Sequence, residues 1–309
     1  MNIARKDLIH WKDWETEEIL DLLHLAERTE ASPLEFSDSL KAKTLLMLFQ
    51  KTSTRTRVSF EVAMTELGGH AIFLDWRASN LGLTKTWYEA AYLSSNCHVL
   101  MARVKENREL AELQKGSSVP VINGCCNKYH PCQALADFLT LKQDAGTFAG
   151  LRLTYLGVLN NVANSLLSLA YAFKVHVTLV CPIRPISDMD MEILERMRDA
   201  GLLTETLNPQ EAVKDADYVY TDTWVNMEYF YEPSAKDLKD ERIRTMLPFQ
   251  LNHELLAHSK AKVMHDMPIH PGYEITEELV VDPRSIIFTQ AKNRLPAQKA
   301  ILLRLLGVA

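Results

Sequence analysis

The sequence predicts an α/β protein of two domains, each a parallel sheet flanked by helices, and three observations carry that expectation. Apolar runs of strand length recur with helical segments between them, the rhythm of βαβ units. The runs fall into two series separated by a polar, Gly-containing link, KQDAGTFAGLR. The chain has 309 residues, 47% hydrophobic and 24% charged, enough for two ordinary globular domains of about 150 residues each.

Taken in order, an amphipathic helix is expected around Glu15 to Thr29. The strands KTLLMLF, HAIFLDW, HVLMARV and VPVING follow, and a helix from about Pro131 to Lys142 closes the first series. The second series is LRLTYLGV, HVTLVCP, DYVYTDTW, KVMHDMP and SIIFTQA. The expected boundaries are 1–143 and 144–292, with 293–309 a terminal helix. No internal repeat, low-complexity tract or long block of like charge interrupts the pattern.

One junction stands out. KTLLMLFQ is a short continuous apolar run after a charged segment, hence a buried strand. Beyond it Val58, Val62, Ala63 and Leu67 recur at helical spacing, and Gly68-Gly69 supplies a stop. Ser53, Thr54, Arg55, Thr56 and Arg57 therefore stand at the mouth of a helix, where free N–H groups and the positive end of the dipole favour an anion. Hydroxyls add donors, and two guanidinium forks suit phosphate or carboxylate oxygens. The plainer alternative is a Ser/Thr cap followed by solvent-facing arginines.

In open parallel sheets chemistry collects at the carboxyl ends of strands. The unusual residues fall there: the Ser53 cluster, Arg103, His130 with Gln133, Asn160-Asn161, Asp222, His265-Asp266 and Arg294. One polar residue at a strand end is ordinary solvation; a series of anion binders, amides and acids at successive ends is not.

Composition narrows the chemistry. A formal charge of -6 excludes a broad basic field, so nucleic acid is not an expected partner. The cysteines number 5, an odd count that favours reduced thiols in a cytoplasmic setting. Adjacent cysteines in CCNKYHPC are poorly placed to chelate one tetrahedral ion, so no metal is expected. YLGVLNNVANS lacks GxGxxG spacing and no GxxxxGK[ST] occurs, so no nucleotide cofactor is expected either. No apolar run is long enough to span a bilayer.

Four motifs in order, STRTR, HPCQALAD, HDMPIHPGYEITEEL and QAKNR, resemble those of the aspartate/ornithine carbamoyltransferase family, its ornithine branch above all, over nearly the whole chain. The resemblance implies a first domain for carbamoyl phosphate, a second for the amine, and a last helix crossing back to the first domain. It implies a homotrimer, or a multiple of trimers, with active sites between subunits. The activity implied is transfer of a carbamoyl group to the side-chain amine of ornithine, a step of arginine biosynthesis that gives citrulline and phosphate. Putrescine, lysine or an N-acylated ornithine as acceptor, or a noncatalytic paralogue that only binds carbamoyl phosphate, remain the alternatives.

The residue roles follow from the same resemblance. Ser53, Thr54, Arg55, Thr56, Arg57 and Arg103 would hold the phosphate, joined by His130, Gln133, Met267 and Arg294 around the carbamoyl group. Asn80 stands where the family has a glutamine that reaches a neighbouring subunit's site. Attack by a neutral amine places negative charge on the carbamoyl oxygen, and fixed donors such as His130 and Arg294 would stabilise it. The catalytic set expected is Arg103, His130, Gln133, Asp266 and Arg294. For the amine the matching residues are Asn161, Asp222, Asn226, Met227 and Asp266. Asp266-Met267 replace a Cys-Leu pair, Asn226 a serine and Glu228 a glycine. Asp266 would accept the amine's proton or hold a cationic substrate; the alternative is that only its backbone meets the substrate.

Overall fold

The structure is a computed structural model that describes residues 6–225, 230 and 233–308. It divides into two compact units, one running to Leu139 and resumed from Asn293, the other Thr140–Lys292.

The first unit opens with helix α1 (Thr16–Ala31), whose Ile19, Leu22, Leu23 and Ala26 are buried. Glu15 and Glu18 form a reciprocal box across its first turn, satisfying N–H groups that the helix itself cannot. Strand β1 (Thr44–Phe49), helix α2 (Thr54–Glu66), β2 (His70–Asp75), α3 (Thr86–Ser94), β3 (Val99–Arg103), α4 (Asn107–Gly116), β4 (Val121–Cys125) and α5 (Pro131–Ala145) follow. The four strands form one parallel sheet in the order β2-β1-β3-β4. Leu45 to Phe49 are all buried, as are Val99 to Ala102. Two-sided burial explains why these strands read as continuous apolar runs and not as alternation.

The second unit is built the same way: β5 (Arg152–Val158), α6 (Asn161–Phe173), β6 (His176–Ile183), α7 (Met191–Asp199), β7 (Leu203–Glu205), α8 (Pro209–Lys214), β8 (Tyr218–Thr221), α9 (Lys236–Met246), β9 (Lys262–His265), α10 (Glu277–Val280) and α11 (Ile287–Lys292). Its parallel sheet has the order β7-β6-β5-β8-β9. The last helix, α12 (Arg294–Leu305), packs against α1 and α2 of the first unit.

Two elements differ from expectation. SIIFTQA is not a strand: Ser285 makes a single bridge to Val263, after which the chain turns into α11. Ile287 and Gln290 share its buried face, and Gln290 Oε1 accepts the His265 N–H at 2.9 Å. A helix places both inward at i and i+3, which strand alternation cannot. The strand β7 was not expected, because LTE is a three-residue edge, half-exposed to exposed, with no apolar run to announce it. No described helix is long and apolar enough to cross a membrane.

Candidate active site

Both sheets reverse their strand order once, the first between β1 and β3, the second between β5 and β8. Loops leaving such neighbours diverge and open a crevice at the strands' carboxyl ends. Each unit therefore has its own crevice, and Arg103 in the first, Asp222 and His265-Asp266 in the second, stand at the strand ends that bound it.

In the first unit Ser53 caps α2, its Oγ accepting the Thr56 N–H at 3.3 Å. Thr54 and Arg55 begin the helix, and Thr56 is buried. Arg103 ends β3 with its Nε buried and without a hydrogen-bond partner. His130 precedes α5, its carbonyl accepting the N–H groups of Gln133 and Ala134 at 3.2 Å. Arg294, only 3% exposed at the start of α12, donates from Nη1 to Gln133 Oε1 and from Nη2 to Thr56 Oγ1 at 3.0 Å. Gln133 in turn donates to Asp137 at 2.8 Å, which fixes its amide with the oxygen toward Arg294.

Burial, then the charges of Arg294, Arg103 and Arg55, holds the His130 pKa well below its ordinary value. His130 is therefore a neutral imidazole beside three guanidinium groups. The guanidinium groups attract an anion, and His130 can donate to a developing oxyanion without carrying a charge of its own. Arg57 does not join it. Its Nε donates to Glu61 at 2.9 Å and its guanidinium lies 3.8 Å over the Phe73 ring, on the exposed face of α2. Asn80 is exposed on a single 3-10 turn, Asn80–Gly82.

The second crevice is acidic. Asn160 caps α6 with its Oδ1, which accepts from Val162 and Ala163, while its Nδ2 donates to Asp222 Oδ2 at 2.6 Å. Asp222 Oδ1 accepts the Thr223 N–H at 2.6 Å. The Tyr155 hydroxyl lies 3.0 Å from the Val158 carbonyl and 3.2 Å from Asn160 Oδ1. Burial, followed by the nearby Asp222, Cys181 and Asp266, pushes that phenol well above its ordinary pKa, so it stays protonated. Asn161 is the first residue of α6, its Oδ1 turned to the Val162 N–H at 3.1 Å. The asparagine bonded to Asp222 is thus Asn160.

Asp222, His265 and Asp266 are buried and offer ligand atoms within 4.8 Å of one another. As a metal site the set is poor. His265 Nδ1 accepts the Met267 N–H at 2.8 Å and its Nε2 is 3.2 Å from Glu274 Oε1, so both ring nitrogens are engaged. The Met267 side chain packs against the second unit's apolar cluster. Its N–H is taken by His265. Asn226, Met227 and Glu228 lie outside the described residues. The five cysteines are buried free thiols, and burial raises those of Cys126 and Cys132 to about 11 and about 12, so neither is a ready nucleophile.

The profile of the aspartate/ornithine carbamoyltransferase carbamoyl-P binding domain matches residues 6–143, and that of the Asp/Orn binding domain matches residues 149–305. The chain belongs to the aspartate/ornithine carbamoyltransferase family. It is a carbamoyltransferase, similar to the ornithine carbamoyltransferase of Archaeoglobus fulgidus at 42% identity over 98% of both chains. That of Bacillus cereus strain AH187 is 38% identical over 97% of this chain and 94% of its own. Among solved structures, ornithine carbamoyltransferase from Pyrococcus furiosus superposes with a TM-score of 0.90 at 37% identity, over 99% of both chains. The enzyme from Thermus thermophilus gives 0.86 at 36%, over 97% of this carbamoyltransferase and 98% of that chain.

Sequence reasoning missed Tyr155, Thr223, His270 and Glu274 around the acidic crevice. The one available signal was the density of titratable groups in HDMPIHPGYE, two histidines and two acids in a stretch otherwise apolar or turn-forming.

Proposed function

We propose that the chain carbamoylates the side-chain amine of L-ornithine with carbamoyl phosphate, giving L-citrulline and phosphate. The observation that carries this reading is the neutral His130 among Arg55, Arg103 and Arg294. The relatives' names, all ornithine carbamoyltransferase, support the choice of amine.

The first domain, 1–143, takes carbamoyl phosphate. Ser53, Thr54, Arg55, Thr56 and Arg103 hold the phosphate, and His130, Gln133 and Arg294 hold the carbamoyl group. The second, 144–292, takes the amine on Asp222 and Asp266, with Asn161, Asn226 and Met227 beside it; the segment 293–309 brings Arg294 back to the first. The neutral amine nitrogen attacks the carbamoyl carbon, and the carbonyl electrons move onto oxygen, where His130 and Arg294 donate. The oxygen electrons return, the bond from carbon to the phosphate oxygen breaks, and phosphate leaves onto the arginines. The extra proton on the attacking nitrogen passes to Asp266. No residue forms a covalent bond to substrate.

The enzyme works in the cytoplasm, in arginine biosynthesis, as a homotrimer in which Asn80 serves a neighbouring subunit. A colorimetric ureido assay with carbamoyl phosphate tests the activity against ornithine, putrescine, lysine, N-acylated ornithine and aspartate. Turnover with ornithine alone is expected; turnover only with another amine would keep the transfer and overturn the substrate. Light scattering that finds an active monomer would remove the trimer.

A further inference from the structure

Behind the two acids of the second unit lies a third carboxylate. Glu274 is 1% exposed, and its Oε1 accepts from two histidines. His265 Nδ1 accepts the Met267 N–H at 2.8 Å, so the ring proton sits on Nε2 and points to Glu274 at 3.2 Å. The His270 backbone N–H donates to the same oxygen at 2.6 Å. The Thr223 hydroxyl donates to the Val225 carbonyl at 2.8 Å, which leaves its oxygen to accept from His270 Nδ1 at 3.0 Å. Thr223 is also the residue whose N–H holds Asp222. One carboxylate oxygen therefore ties the loop of Asp266, through His265, to the loop of Asp222, through His270 and Thr223.

We infer that Glu274 is a positioning residue for the amine: it fixes the loops that carry Asp222 and Asp266 against each other without touching the substrate. The inference rests on the reading that those acids receive the amine. Burial raises the Glu274 pKa, but the hydrogen bonds from His265 and His270 outweigh it and bring it to about 2. The tie is thus charge-assisted at every working pH, and such bonds are the stronger kind. Holding both loops in advance spares the amine the cost of ordering them on binding.

Glu274→Gln keeps the size of the side chain and removes its charge. Steady-state kinetics of the whole enzyme should show KM for ornithine raised about tenfold or more and kcat within about threefold. Carbamoyl phosphate affinity by calorimetry should not change. Combining it with His270→Asn should raise KM little beyond the larger single effect, because both lie on one line of contacts. An unchanged KM for ornithine, a fall in kcat alone, or an equal loss of carbamoyl phosphate affinity would overturn the inference, as would a lower Tm with both KM values intact. If the glutamine variant does not fold, Glu274→Asp carries the same comparison, since it draws the oxygen back by one methylene. A wild type inactive on ornithine overturns the substrate reading instead, and Glu274 is then judged on the amine that the wild type does carbamoylate.

Discussion

The two crevices are made in opposite ways. The cationic one gathers Arg55, Arg103 and Arg294 around a neutral histidine, on the first turns of helices α2 and α12, just before α5 and at the end of β3. Its parts are set by backbone elements, and its fixed charge and helix ends are aimed at an anion before one arrives. The acidic one is set by side chains: Asn160 holds Asp222, and Glu274 holds His265 and His270. Each crevice therefore varies in its own way. A crevice built on helix starts is fixed by the backbone, whereas one built on loop-to-loop bonds depends on single side chains such as Asn160 and Glu274.

The largest effect is expected at His130. His130→Ala should lower kcat by about two to three orders of magnitude with binding of a phosphate analogue nearly intact; a loss confined to KM would make the cationic crevice a binding surface only. Next comes acid stability. Glu274 sits at about 2 against an ordinary 4.5, a depressed pKa, so its contribution is fully present above about pH 4.5 and drains as pH falls toward 2. The amount is about 3 kcal/mol, and urea unfolding of Glu274→Gln should lose that slope between pH 5 and 2. Arg55→Ala should weaken carbamoyl phosphate binding by about 2 to 3 kcal/mol by calorimetry, and unchanged affinity would remove the phosphate reading. Asp266→Cys tests the acidic crevice. An ionised neighbour raises the amine's pKa, so its removal should move the kcat/KM profile to lower pH, by about half a unit to one unit. Arg57→Ala is the smallest: with its guanidinium on Glu61 and Phe73, carbamoyl phosphate affinity should change by less than about threefold.

The same contrast decides what could be read from sequence. Strands β1 and β3 were legible because burial on both faces leaves no alternation to misread. Ser53 to Thr56 were legible because helix spacing after a strand dictates where their donors stand. Arg57, in the same five-residue run, was placed by adjacency, yet a helix turns about 100° per residue and carries it to the far face. SIIFTQA misled because short apolar runs fit strand and helix alike, and only the inward Gln290, bonded to His265, decides. Asn160 and Asn161 are neighbours of one type, separable only by a cap geometry that sequence does not display. Glu274 and His270 showed only as a local density of titratable groups, because their roles lie in partners distant along the chain, among them Thr223.

Helix α12 has a consequence in time. It packs on α1 and α2 and supplies Arg294 to a unit whose other residues precede the whole of the second. A ribosome adding about 5 to 20 residues per second takes on the order of ten seconds to make that intervening unit. Throughout that interval the nascent first unit has Arg55, Arg103 and His130 but no Arg294 to bond Thr56 and Gln133, and its α1 and α2 faces await their cover. The part of the enzyme that is begun first is the one finished last, and a nascent chain released before Arg294 would carry the cationic crevice without its last guanidinium.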